Sequence, residues 1–203
     1  MAMSNNQQTA AAFIGATALT GITAAPYLAI AGVGDESMRL ALRVSGRVAF
    51  VVLLVVFAAR PLQQLLKAPW TAKLLRNRRL LGVAFAGIHT AHLGLIVIRS
   101  NQLLDFGVSF EKNLPGMFVY AFIFAMLITS FDGPARALGK KPWKALHKVG
   151  VFFLFFAFTQ SQMPQSLDQL ELVNGLLIAL AAVALVIRIT AFLVKYRAKG
   201  QPQ

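Results

Sequence analysis

The sequence predicts an all-α membrane protein: a bundle of six transmembrane helices with both termini cytoplasmic. Three observations carry that expectation. Of the 203 residues, 57% are hydrophobic and 13% charged, with a mean hydropathy of +0.65, well away from the mixture of a soluble domain. Residues 1–34 carry no charge, and 80–98 and 114–131 are uncharged runs of bilayer length. The basic residues cluster between the apolar runs rather than within them. The length fits one polytopic domain: a polar tail at 1–9, the six-helix domain at 10–195 and a basic tail at 196–203.

The first helix is expected at 10–33, kinked at Pro26, which a membrane helix tolerates. The second spans 41–59 and stops at Arg60-Pro61, where proline removes a backbone donor. The third covers 79–98. The fourth covers 114–131 and is closed by Asp132-Gly133-Pro134. The fifth covers 145–163 and stops at Pro164, and the sixth covers 172–194. Short loops rich in Lys and Arg stay cytoplasmic. Six such residues lie in 60–79 and five in 132–148, against none in 164–171 and only Arg99 and Lys112 in 99–113. Arg39, Arg43 and Arg47 fall on the outer side and blunt that contrast. The location implied is a bacterial inner membrane, crossed many times, with lipid as the immediate partner.

The net charge of +13 does not point to nucleic acid, because membrane topology explains the basic residues and no basic patch interleaved with aromatics accompanies them. Cysteine is absent, which removes disulfides, iron–sulfur clusters, thiolate ligation of haem and covalent c-type attachment. No Lys or Arg precedes the first apolar stretch, so no cleavable signal peptide is expected. No glycine-rich dinucleotide fingerprint, Ser/His/Asp pattern or carboxylate pair suited to acid–base work is present.

The three histidines carry the chemistry. His89 and His92 lie in the third apolar run, and His147 lies where a basic loop meets the aromatic fifth helix. Imidazole in a membrane helix is costly unless it has a job, and it is a common axial ligand of haem iron. Without cysteine, a haem here is noncovalent haem b, one or two of them. His92 and His147 are the expected iron ligands, against the alternatives that His92 makes an interhelical hydrogen bond and His147 is an interfacial loop residue. His92 and Arg78 are fourteen residues apart on one helix face, about 21 Å along the axis, and His147 sits near the level of Arg78, so two stacked cofactor levels fit the spacing. His89 points to a neighbouring part of that face, as a substitute ligand, as a hydrogen-bond partner of a propionate or quinone, or as an interhelical bond. Arg43 and Arg47, one turn apart, suit haem propionates or snorkel to lipid, and Arg78 and Arg79 suit inner propionates or are ordinary positive-inside residues. The phenylalanines at 152, 153, 155, 156 and 158 read as packing, Trp70 and Trp143 as interface anchors, and Asp132 as a turn residue.

Three stretches, SGRVAFVVLLVVFAARPL, RNRRLLGVAFAGIHTAHL and GKKPWKALHKVGVFFLFFAF, resemble the ferric-reductase-like transmembrane superfamily, and within it the MsrQ/YedZ type of haem-binding subunit. The resemblance covers about residues 40–195. It implies a six-helix b-type cytochrome that passes electrons from a separate cytoplasmic flavin or quinol donor to a periplasmic reductase partner. It also implies His92 and His147 as iron ligands and Arg78 at an inner position. FMN or a quinone is then a further candidate cofactor. One position departs from the pattern. The family places another histidine thirteen residues after the one opening the fifth helix, and Gln160 stands there. The outer iron is then five-coordinate on His92, or recruits His89 or Met163, or is lost. Two other classes stay open: a haem-free scaffold or assembly protein on the same fold, and a transporter or proton pathway. The latter calls for acidic residues inside helices, and the predicted helix interiors contain none.

Overall fold

The computed structural model describes residues 3–30, 35–102, 110–163 and 171–199, and within these the chain is seven helices. They are α1 (Asn5–Ile30), α2 (Asp35–Leu66), α3 (Pro69–Gln102), α4 (Phe110–Ile128), α5 (Asp132–Leu138), α6 (Lys140–Ser161) and α7 (Leu172–Lys199). Pro164 lies outside the described residues.

The all-α expectation holds, but the six-span bundle does not. Among the described residues three helices are long and apolar enough to cross a membrane: Glu36–Leu66, Pro69–Arg99 and Leu172–Arg197. A fourth span exists only if Leu114–Ile128 and Asp132–Leu138 act as one, and they meet at a bend of 103°. Helix α1 is not among these spans. Helix α6 falls short because it opens with Lys144, His147 and Lys148 and closes with Thr159-Gln160-Ser161. Termini on the same side followed from six crossings, and that deduction falls with the count.

The helices also run past their expected ends. α2 continues through Arg60-Pro61 to Leu66, with Pro61 inside it. α3 starts at Pro69, so much of the expected 60–79 loop is helical. The break between them is short, and Lys67 takes a left-handed φ of 49° there. The expected 132–148 loop contains α5 and the first turns of α6, joined at Gly139. Gly139 has φ 84°, a conformation that only glycine adopts without strain.

Helix α2 is the centre of the molecule. Its Phe50, Leu53 and Phe57 are fully buried, and the core continues through Phe85 of α3, Leu154 of α6 and Ala181 of α7. Phe57 stacks on Phe155 with ring centres 4.1 Å apart, and Phe158 meets Phe50 and Phe85 at 6.2 and 5.5 Å. The α6 phenylalanines are therefore packing residues, except Phe156, which is 56% exposed. Helix α1 lies close against α3 at Gly87, where a Cβ would stand 2.6 Å from the carbonyl oxygen of Phe13 and where Thr17 Oγ1 donates to the Gly87 carbonyl at 3.1 Å. A second, smaller core joins Ala24, Met38, Ala41 and Leu95.

Candidate functional site

A cavity of about 1100 Å³ opens at the basic end of the bundle. Apolar side chains such as Leu53, Phe85, Leu154 and Phe152 form its walls. Its polar lining is cationic: Arg60, Arg78, Lys144, Lys148, Arg188 and Lys195 face one carboxylate, Asp132. That carboxylate is taken by Arg79 at 3.2 Å, so Asp132 is an ion-pair partner as well as the start of α5.

His147 also lines this cavity. Trp143 precedes it by one turn on the same face and packs its ring 4.3 Å away. The indole N–H donates to the Thr129 carbonyl at 2.8 Å, so Trp143 ties α6 to the end of α4. Thr129 Oγ1 can donate to the Ala125 carbonyl at 2.7 Å. Its oxygen also lies 3.0 Å from His147 Nε2, a hydrogen bond that orients the imidazole in either tautomer.

His92 is held in a similar way through its other nitrogen. Ser45 Oγ, which donates to the Ala41 carbonyl at 2.8 Å, shares a 2.8 Å hydrogen bond with His92 Nδ1. A hydrogen bond of this kind orients a metal-binding imidazole. Gly46 makes room for the ring: a Cβ there would sit 3.6 Å from His92 Cε1. His89 is buried, stacked on Phe85 at 4.9 Å and on His92 at 5.3 Å, with Phe158 edge-on at 4.6 Å. Its Nδ1 is buried without a hydrogen-bond partner among the described residues. The two rings lie side by side, 21° from parallel, and do not point at a shared centre between them.

The structure thus brings Arg78, Arg79 and His147 to one cavity and keeps His89 with His92 farther along α3. It sets Arg47 apart from both groups. Arg47 is bonded to Glu171 and, at 2.9 Å, to Asn174 Oδ1, while Arg43 reaches Glu171 at 3.3 Å. The pair fastens α2 to the start of α7. The bond from Arg47 holds the Glu171 carboxyl below its ordinary pKa of 4.5, aided by the charges of Arg43 and Arg47, although its own desolvation acts the other way. Gln160 is exposed in the last turn of α6, and Met163 is 57% exposed.

Sequence reasoning missed Arg188. It stands in the middle of apolar α7 with its guanidinium 4.1 Å from the Phe57 ring centre and 4.4 Å from that of Phe152. Its Nη1 donates to the Phe57 carbonyl at 2.9 Å, and Arg78 Nε donates to the preceding carbonyl, Val56, at 3.1 Å. The available signal was a lone arginine in an uncharged run, together with a proline four residues after Phe57.

A multi-pass membrane protein with a cationic, histidine-bearing cavity between its helices is the class that fold and site define. The chain belongs to the family described as ferric reductase like transmembrane component, whose model matches residues 45–158. It is 34% identical over 109 residues to the protein-methionine-sulfoxide reductase heme-binding subunit MsrQ of Cronobacter sakazakii (strain ATCC BAA-894). That match covers 51% of this chain and 52% of the relative, so the chain spans about half the length of the curated protein it matches. The bacterial relative and the apolar helices make this a multi-pass inner-membrane protein.

The residues present suit haem at the basic cavity. It has an imidazole in its lining, apolar walls for a porphyrin face, cations for propionates, and a volume just above the ordinary ligand-pocket range of about 300–1,000 Å³. Among the described residues no group of three or more His, Cys, Asp or Glu is placed to hold a bare metal ion.

Proposed function

We propose that the protein is a b-type haem-binding electron-transfer subunit of the inner membrane. The observation that carries this is the coincidence of His147 and a cluster of guanidinium and ammonium groups around one large apolar cavity. Haem supplies one-electron chemistry, and the protein tunes it through the axial ligand, burial and nearby charge. On this reading His147 and His92 are the iron ligands at two levels of the bundle. Thr129 and Ser45 orient their rings, and Arg78 faces a propionate. His89 packs beside His92 as an auxiliary group. The chain has no dinucleotide fingerprint, so a separate flavin or quinol donor, with FMN or a quinone as the carrier, and a periplasmic redox partner complete the path.

One observation favours a second reading, a haem-free scaffold. Both candidate ligands already have hydroxyl partners inside the protein. The deciding measurement is the absorption spectrum of the detergent-purified protein, oxidised and dithionite-reduced, with a pyridine haemochrome count. The cytochrome reading expects b-type bands and one or two haems per chain. A colourless protein that takes up no added haem would leave the scaffold.

A further inference from the structure

Arg188 owes its position to Pro61. Proline has no N–H, so the carbonyl four residues earlier, that of Phe57, loses its donor within α2. An orphaned carbonyl inside a membrane bundle must find a donor elsewhere. Arg188 supplies it from α7, at 2.9 Å. Arg78 docks from α3 on the neighbouring Val56 carbonyl at 3.1 Å. Two guanidinium groups from two helices therefore sit on adjacent carbonyls of a third, both in the lining of the same cavity.

Each guanidinium carries five N–H donors in a planar fork. Among the described residues Arg78 spends its Nε and Arg188 its Nη1 on backbone, and their other nitrogens bond no protein acceptor. The aromatic faces of Phe57 and Phe152 hold the Arg188 plane in place. Among the described residues the one carboxylate in the cavity lining, Asp132, is already paired with Arg79. Two cations whose stems are locked and whose free edges meet no counter-charge among the described residues are a receptor for an anionic oxygen pair.

We propose that Arg78 and Arg188, docked on the two carbonyls next to the proline break of α2, form an acid-recognition subsite that takes a carboxylate of the ligand filling the basic cavity. This rests on the haem reading above, and the carboxylate is then a propionate. Arg188 is a binding residue on this account, and Pro61 and Phe57 are positioning residues.

The test titrates the purified protein, stripped of haem, with hemin and with hemin dimethyl ester, whose propionates are blocked. Wild type is expected to favour the free acid by about ten- to a hundredfold, the range for charge-assisted hydrogen bonds. R188Q and R78Q should each shrink that preference, and R188K should keep part of it. Equal binding of acid and ester by wild type overturns the subsite and leaves the haem reading standing. Binding of neither porphyrin overturns both. A full preference retained in R188Q excludes Arg188. If R188Q does not fold, R188K decides, and a preference equal to wild type in it overturns the role of the planar fork.

Discussion

A neutral imidazole in a membrane is defined by which nitrogen its neighbours leave free. Ser45 engages His92 at Nδ1, and Thr129 engages His147 at Nε2. Replacing either histidine by alanine should lower bound haem per protein, read by pyridine haemochrome. His89→Ala should lower it less, since that ring is held by Phe85 and Phe158 beside His92. Unchanged haem in both His92→Ala and His147→Ala would remove the ligand assignment. Thr129→Val keeps the shape and deletes the hydroxyl, and should weaken haem retention about tenfold, the lower range for loss of an orienting partner. The histidines were legible because imidazole is rare in such runs. Their partners were not, since Ser45 and Thr129 are ordinary helix residues until the fold brings them alongside.

At the scale of elements, a break in one helix is repaired by another. If Arg188 caps the carbonyl freed by Pro61, Arg188→Met should cost about 1–3 kcal/mol more in wild type than in a Pro61→Ala background, where α2 supplies its own N–H. Unfolding in mixed micelles measures the difference, and equal costs would show that the two residues are not coupled. Gly87→Ala pushes a methyl into the Phe13 carbonyl across the α1–α3 contact and should destabilise by about 1–3 kcal/mol. The tie between α2 and α7 is a matter of charge. Because the folded pKa of Glu171 is depressed, its contribution is full above 4.5 and is lost as pH falls below that through the folded value. Amide protection at the start of α7, relative to the intrinsic exchange rate at each pH, should therefore fall on acidification in wild type and be already low, with little pH response, in Glu171→Gln. The sequence showed Pro61 and read it as a stop. It is an interior break, because α7 supplies, through Arg188, the donor that the Phe57 carbonyl lacks.

For the whole molecule, cations from α2, α3, α6 and α7 gather at one cavity, apart from the Arg43 and Arg47 pair on Glu171. Lys144, Lys148 and Lys195 come from α6 and α7, far apart in sequence, and line the same cavity as Arg60. The chain has no cysteine, so single cysteines report cleanly. Lys144→Cys and Lys195→Cys should react with an impermeant maleimide from the same face of the membrane, the cytoplasmic one by the positive-inside rule. Labelling from opposite faces would break the cavity as described.

Composition by itself determined that this is a helical membrane protein, because a chain this apolar has to satisfy its backbone within helices. Histidine placement determined where chemistry is to be sought, and the absence of cysteine narrowed it. The number of spans was not determined that way. Uncharged length suggested six, whereas among the described residues three helices are long and apolar enough and a fourth depends on a bent pair. Run length does not record that α6 starts early enough to take in its lysines. The tertiary structure also decided the partners of each arginine. Arg47 and Arg78 looked equivalent as cations near apolar runs. Packing gave one to Glu171 and the other to a cavity wall beside Arg188. A guanidinium reaches several ångströms from its own backbone, so what it binds is set by which helix lies next to it.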